Sequence, residues 1–360
     1  MTTSIKQPRL FALDIFRGLT IISMIVVNSP NTFGEFSHAY WEGVNFADLV
    51  FPFFILIVGV AISLGFKNAQ SGQVDKGPLV RKVFKRTLIL FGLGMAVNLM
   101  YTHFAEVRVL GVLQRIALVY CVCCLLALYC SMRQVLITAA ALLVGYWLFI
   151  LWVPAPGMVA GQLERGANII NWFDQFMPGM LWRGDWDPEG LLSTFPAVVT
   201  GIIGMIMGWC ILRSKDLTST VMHLFVFGFG CFALGCVWSL VFPAIKQIWT
   251  SSFVLITGGM GSMILAFLLW CTDIRQYRKG TYVAQVFGAN AITAYVFHVA
   301  LEKVLDIEIN GISIHEAYVN WSLGLGMSAV ISSAIWILMF LSVCFGLVWW
   351  MFKKQIFVKI

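Results

Sequence analysis

His38 stands ten residues ahead of Asp48 in EFSHAYWEGVNFADLVFPFF, Glu35 to Phe54, where a short polar segment runs into a long apolar one. A carboxylate at the start of a helix can fix the tautomer of an imidazole and stabilise imidazolium, leaving the second ring nitrogen as a base or nucleophile. Asn28 and Asn290 carry amide donors of the kind that stabilise an oxyanion. His298 reads as an interhelical hydrogen bonder or as a second acid–base group. Asp14 and Arg17, three apart on one helical face, are expected to pair as ions.

These side chains need elements to hold them. The 360-residue chain is 60% hydrophobic and 11% charged with a net charge of +7, and its mean hydropathy is +0.87. A water-soluble domain of that composition would carry a largely apolar surface, so the chain reads as an all-α polytopic membrane bundle. About ten apolar runs are long enough to cross the ~30 Å hydrocarbon core. They centre on Ile21, Ile57, Gly94, Cys123, Leu143, Gly204, Cys231, Gly261, Ala291 and Trp336. They are far longer than the alternating segments of an outer-membrane barrel. Asp14 and Arg17 interrupt the start of the first run and no small-residue cleavage site follows it, so it is expected to remain as a span and not to be a cleaved signal peptide. No internal repeat, soluble domain or low-complexity tail stands out, and residues 1–360 read as a single transmembrane domain.

Lys and Arg collect on the cytoplasmic side of membrane helices. With the N-terminus inside, 17 of the 24 basic residues, from Lys6 and Arg9 to Lys359, fall in inner segments, six fall in outer segments, and Arg17 lies within the first span. Both termini are therefore expected inside, with His38 and the long loop 154–190 outside. A loop of that length is more often a lid or binding element than a connector. The same orientation brings most of Asn28, His38, Asp48, Asn98, His103, Asn290 and His298 to the outer ends or outer halves of their spans. Polar groups are costly in a membrane, and a polar cavity open to the outside accounts for them. On the inner side, Lys82, Lys85 and Arg86 in KVFKR and Arg275, Arg278 and Lys279 in RQYRK suit either phosphate groups or anionic lipid. All nine cysteines lie in or at the ends of apolar runs, which argues for packing residues over a disulfide framework. YCVCC, residues 120–124, has no histidine or carboxylate at ligand spacing, and no metal is expected. Gly204 and Gly208, four apart, are expected to let helices approach closely.

Six stretches, in order, carry a family resemblance: RLFALDIFRGLTIISMIVVN, FSHAYWEGVNFADLVFPFFILIVG, VRVLGVLQRIALVY, DPEGLLST, GANAITAYVFH and KKQIFVKI. They resemble the transmembrane acyltransferases typified by heparan-alpha-glucosaminide N-acetyltransferase, with bacterial relatives linked to N-acetylglucosamine metabolism, and the match runs over nearly the whole chain. The resemblance implies transfer of an acetyl group from cytoplasmic acetyl-CoA to an amino sugar on the far side of the membrane. It implies His38, in the HA-x-W-x-G stretch, as the catalytic histidine, with Asn28 beside it; Asp48 joins them from the reading above. Arg86 also falls in a matching motif, and Arg86, Lys85, Lys82, Arg17, Arg275 and Arg278 are the expected contacts of the CoA phosphates. Asp187 and Glu189 of DPEG, Arg115 of VLQR, Trp41, Asn290 and His298 are the expected contacts of the acceptor. Against the animal enzyme, the protein is expected to lack the N-terminal extracytoplasmic region and extra span, and IKQIWTSSF, residues 245–253, matches only loosely. A small amino sugar or envelope glycan is accordingly the expected acceptor, and a bacterial inner membrane the expected location.

Phosphates would stay at the inner basic clusters while the slim, uncharged pantetheine arm reaches into the ~30 Å core, so the helices should leave a funnel or tunnel. His38 would either deprotonate the acceptor for direct attack or carry the acetyl group itself. The expected partners are acetyl-CoA, the sugar or glycan acceptor and membrane lipid, without nucleic acid; a homodimer is left open. A secondary transporter of an amino sugar is the rival reading, since ten spans with polar midplane groups suit it, but no repeat symmetry is visible. A non-catalytic scaffold gives no reason for Asn28, His38 and Asp48 to gather at one mouth. Cysteine labelling of an introduced residue within 154–190 is expected to succeed with an impermeant reagent from outside the cell; labelling only from the cytoplasm would contradict the orientation.

Overall fold

In the computed structural model of the chain, residues 10–30, 33–67, 75–102, 106–309 and 311–358 are described; Lys6, Arg9, His103 and Lys359 lie outside the described residues. The chain forms helices because hydrocarbon offers no partner for a backbone N–H or C=O, so each apolar run must satisfy its own. They are α1 (Phe11–Asn28), α2 (Phe46–Gly65), α3 (Lys76–Tyr101), α4 (Val112–Tyr129), α5 (Met132–Trp152), α6 (Ile169–Asp174), α7 (Thr194–Arg213), α8 (Leu217–Ser239), α9 (Ser251–Leu268), α10 (Tyr282–Ala289), α11 (Ala291–Leu305), α12 (Ile314–Gly324) and α13 (Ala329–Lys353). A π-helical turn, Leu269–Ile274, extends α9, and a two-residue hairpin, Glu308–Ile309 with Ile312–Ser313, precedes α12. Polar residues at the helix starts supply the partners that the first turns lack: Asn45 with Asp48 for α2, Ser131 with Gln134 for α5, and Asp216 for α8.

Among the described residues nine helices are long and apolar enough to cross a membrane. The expected span around Ala291 is different: α10 and α11, which together are long and apolar enough to cross, meet at an 88° bend at Asn290. With the bent pair taken as one span the count reaches ten, in keeping with the expected number of about ten. Composition could not reveal the break, because the apolar pattern continues through it.

Helices α2, α7 and α9 form the buried centre, and α5, α8 and α13 turn most of their side chains outward. Glycine makes the centre possible. A Cβ on Gly204 would run into the Leu56 carbonyl, one on Gly59 into the Gly201 carbonyl, and one on Gly208 into the Ser63 side chain. Close backbone approach of this kind is how membrane helices gain packing energy without a hydrophobic drive. Beside this centre, α1 packs on α2, α2 on α4, α4 on α3, α3 on α11, and α11 back on α1. The ring of five helices encloses a cavity of about 1850 Å³.

Gly204→Ala is expected to push α2 and α7 apart and to cost about 1–3 kcal/mol, as overpacking of a filled core does. Thermal unfolding of the purified protein in detergent measures it; an unchanged midpoint would contradict the close-packing role.

Candidate active site

The site begins with the first turn of α2. Asn45 caps the helix and Asp48, three residues on, folds back so that its Oδ2 accepts from the Asn45 backbone N–H at 3.0 Å and from the Ala39 N–H at 3.0 Å. The second oxygen, Oδ1, lies 2.8 Å from Nδ1 of His38. Asp48 is 0% exposed whereas the His38 side chain is 47% exposed. Donation from Nδ1–H to Asp48 leaves the lone pair on Nε2, the tautomer a base or nucleophile requires.

A third member comes from 208 positions away. Lys246 places Nζ 3.0 Å from Nδ1 and 3.3 Å from Nε2 of His38, and 3.5 Å from Oδ1 of Asp48. Its loop is held on every side. Gly43 N–H donates to the Ala244 carbonyl at 2.8 Å, the Gln247 amide to the Ala39 carbonyl at 3.3 Å, and the Tyr146 hydroxyl to the Ile248 carbonyl at 2.6 Å. Burial pulls the Lys246 pKa below that of an ordinary lysine, against the opposing pull of Asp48. A cation there offsets a buried carboxylate and presents N–H donors beside the imidazole, where negative charge on an acyl oxygen can be met.

The loop 154–190 is clamped onto the same end of the bundle. Arg108 grips Asp187 with both arms of its fork, Nε at 2.8 Å and Nη2 at 2.7 Å, and reaches Glu189 at 2.6 Å. Burial works against both charges, but the pairing prevails and holds the Arg108 pKa above, and the Asp187 pKa below, the ordinary value. Arg115 is buried and donates to the carbonyls of Pro188 and Gly190 and to Ser193, while its guanidinium lies 4.9 Å from the Trp249 ring centre. Trp41 donates to the Leu163 carbonyl at 2.8 Å and meets Trp186 edge-on.

The cavity ties this end to the other. His38, Lys246 and Glu189 line it at one end, and Lys82, Lys85 and Arg86 at the other, separated by most of the length of α2, which at 20 residues spans about 30 Å. Lys82 and Lys85 are exposed, and the Arg86 guanidinium lies 4.7 Å from the Tyr120 ring centre. Its Nε has no hydrogen-bond partner among the described residues. Arg17 also lines the cavity, with Nη1 3.4 Å from Asp14 and from the Gly288 carbonyl.

Not every expected site residue meets the cavity. Asn28 lines it, and its amide lies 3.4 Å from Nε2 of buried His298, whose Nδ1 bonds the Tyr295 carbonyl. Asp187, Arg115 and Trp41 act on the loop. Arg275 and Arg278 lie over Trp270 and Phe11 and line no part of the cavity. Asn290, expected near the histidine end, bonds the C-terminal tail instead, at the level where Gly288 packs on Asp14 and Gly18 of α1. That is about 15–21 Å along α1 from Asn28. Lys246 and Arg108 were missed as site residues. Their only signal was being among the six basic residues that the charge count leaves in the segments expected outside, where such residues are disfavoured.

A helical bundle with an acid–base cluster and a basic cluster at opposite ends of one internal cavity defines a polytopic membrane protein with a chamber inside its helices. The sequence profile described as "Heparan-alpha-glucosaminide N-acetyltransferase, catalytic" matches residues 9–215, more than half of the chain, and the chain belongs to that family. It is 26% identical to human heparan-alpha-glucosaminide N-acetyltransferase over 99% of its length, and 25% identical to the mouse protein over 98%. It spans 61% and 60% of the length of those two relatives.

Asp174, at the end of α6, has one oxygen bonded to the Asp187 N–H at 3.2 Å and the other without a partner among the described residues. Burial, with help from the nearby Asp187 charge, pushes its pKa up from 3.8 to about 7. The folded chain therefore keeps a proton that the unfolded chain releases, and stability falls as pH rises through that window. Asp174→Asn is expected to raise the unfolding midpoint by a margin that grows from about pH 4 to about pH 7 and is level above it. A margin independent of pH would contradict this.

Proposed function

We propose that the chain is a membrane-embedded acetyltransferase that moves an acetyl group from acetyl-CoA to the amine or hydroxyl of an amino sugar or envelope glycan. One observation carries the reading: a single cavity joins the His38–Asp48–Lys246 cluster to Lys82, Lys85 and Arg86. Phosphates belong at the basic end, where charge-assisted hydrogen bonds hold them, and a slim uncharged arm can follow the apolar walls to His38. Membership of a family named for N-acetyl transfer supports this over transport of the same sugar. The Lys and Arg distribution favours cytoplasmic termini, which faces the basic end to the cytoplasmic acetyl-CoA pool and opens the histidine end outward. A bacterial inner membrane suits this arrangement, and the chain acts as one transmembrane domain.

At about 1850 Å³ the cavity exceeds the roughly 300–1,000 Å³ usual for one small ligand, which favours donor and acceptor being bound together. In the direct route, His38 Nε2 takes a proton from the acceptor as its nitrogen or oxygen attacks the thioester carbonyl. Lys246 faces the oxygen that gains charge, and Asp48 stabilises the imidazolium. The tetrahedral intermediate collapses with cleavage of the C–S bond, and the proton held on His38 passes to the departing sulfur. Glu189 and Glu302, both lining the cavity, present carboxylates to the acceptor.

With purified protein, labelled acetyl-CoA and a panel of amino sugars, acetylated sugar is expected. His38→Ala should lower transfer by at least ~10²-fold, as loss of a general base does, and leave donor binding intact. Arg86→Ala should weaken donor binding about tenfold or more. Near-normal turnover in folded His38→Ala protein would sink the assignment.

A further inference from the structure

The last described residues do not trail away from the bundle. α13 ends in a turn in which Gln355 takes φ 56°, its N–H bonds the Phe352 carbonyl at 3.1 Å, and the Ile356 N–H bonds the Met351 carbonyl at 2.9 Å. This is the left-handed helix stop that reverses a chain at a set angle, here made by a residue other than glycine. The tail then runs to Asn290, at the break between α10 and α11. The Asn290 side chain donates to the Ile356 carbonyl at 3.0 Å, and its Oδ1 accepts from the Val358 N–H at 3.2 Å. One amide thus pairs with the tail much as a neighbouring strand would. Phe357 lies between the two bonded residues, edge-on to Phe352, whose ring in turn meets Tyr282 of α10. Phe357 and Val358 line the same cavity as Arg17, Gly288, Lys85 and Arg86.

We infer that the C-terminal tail, Ile356 to Val358, is a wall of the nucleotide-binding end of the cavity, with Phe357 offering its ring to the purine of the donor and Asn290 as the residue that positions it. The inference rests on the donor reading above and adds to it a ligand contact from the far end of the chain. A nucleotide with several phosphates needs cations and an apolar or aromatic surface for its base. Lys82, Lys85 and Arg86 on α3 supply the cations. The tail supplies the ring from the α1, α10 and α13 side. It also gives the break at Asn290 a purpose, since an unbroken helix would carry the side-chain amide on a different heading.

Binding of coenzyme A itself, measured by calorimetry on the purified full chain and its variants, tests this. Phe357→Ala should raise the CoA dissociation constant about tenfold, as loss of a base-stacking ring does. A chain ending at Gln355 should do so by at least as much. In transfer assays the change should fall on the KM for acetyl-CoA and not on the KM for the sugar. Asn290→Ala should weaken CoA binding through the tail alone, so that combining it with Phe357→Ala costs less than the two separate losses added together. Asn290→Asp, which keeps the acceptor for Val358, should fall between Asn290→Ala and the parent. If the shortened chain does not fold, Phe357→Ala decides. CoA affinity within twofold of the parent in folded Phe357→Ala protein overturns the inference while the donor reading stands. A parent chain that is folded and binds no CoA overturns both.

Discussion

The carboxylate of Asp48 is the interaction on which the rest of the site depends. An ionised side chain with no exposure is tolerable only if its lone pairs are filled and its charge matched, and Asp48 meets both needs at once. Two backbone N–H groups, a ring nitrogen and a lysine ammonium surround it. The same contacts start α2, close the turn that carries His38 and set the tautomer of its ring. Each would suffer if any other were lost, which is why a partly exposed histidine can hold a definite orientation.

Hydrocarbon imposes the next constraint. Charges are costly facing lipid, and inside the bundle they stand at the two ends of its internal cavity, in pairs such as Arg108 with Asp187, or, like Arg115, against backbone carbonyls. The central helices pack through glycine until no room is left, and the cavity sits beside them, inside the ring made by α1, α2, α4, α3 and α11. Separation of the acid–base cluster from the basic cluster by the length of a membrane helix is a consequence of this layout. It gives the bundle two chemically different mouths on one chamber. The loop over the histidine end is tied down by its own ion pairs and by Arg115 beneath it, so that end is built from fixed parts.

What could be read in the sequence was local. Apolar runs located the helices, and Asp48 at the start of one of them, ten residues after His38, pointed to a carboxylate beside the imidazole. Pairings across long separations were not legible. Nothing near Lys246 announces that it will meet His38, because the encounter depends on how the α8–α9 loop is tethered over α2. Trp41 and Arg115 sit in the right motifs, yet their side chains are spent on the loop, a distinction only packing can make. The amide of Asn290 suits an oxyanion by its chemistry alone, but the residue lies at the 88° bend between α10 and α11, where its side chain bonds the C-terminal tail, and no apolar pattern marks that bend.

The central claim is that one chamber carries an acetyl group from the basic mouth to the histidine mouth. The most direct measurement uses the protein reconstituted in one orientation in sealed vesicles, with labelled acetyl-CoA outside at the basic mouth and amino sugar trapped within. Labelled acetyl sugar should accumulate in the lumen while CoA stays outside. Product formed only on the side that holds acetyl-CoA, or lumenal product that requires acetyl-CoA inside, would contradict the account.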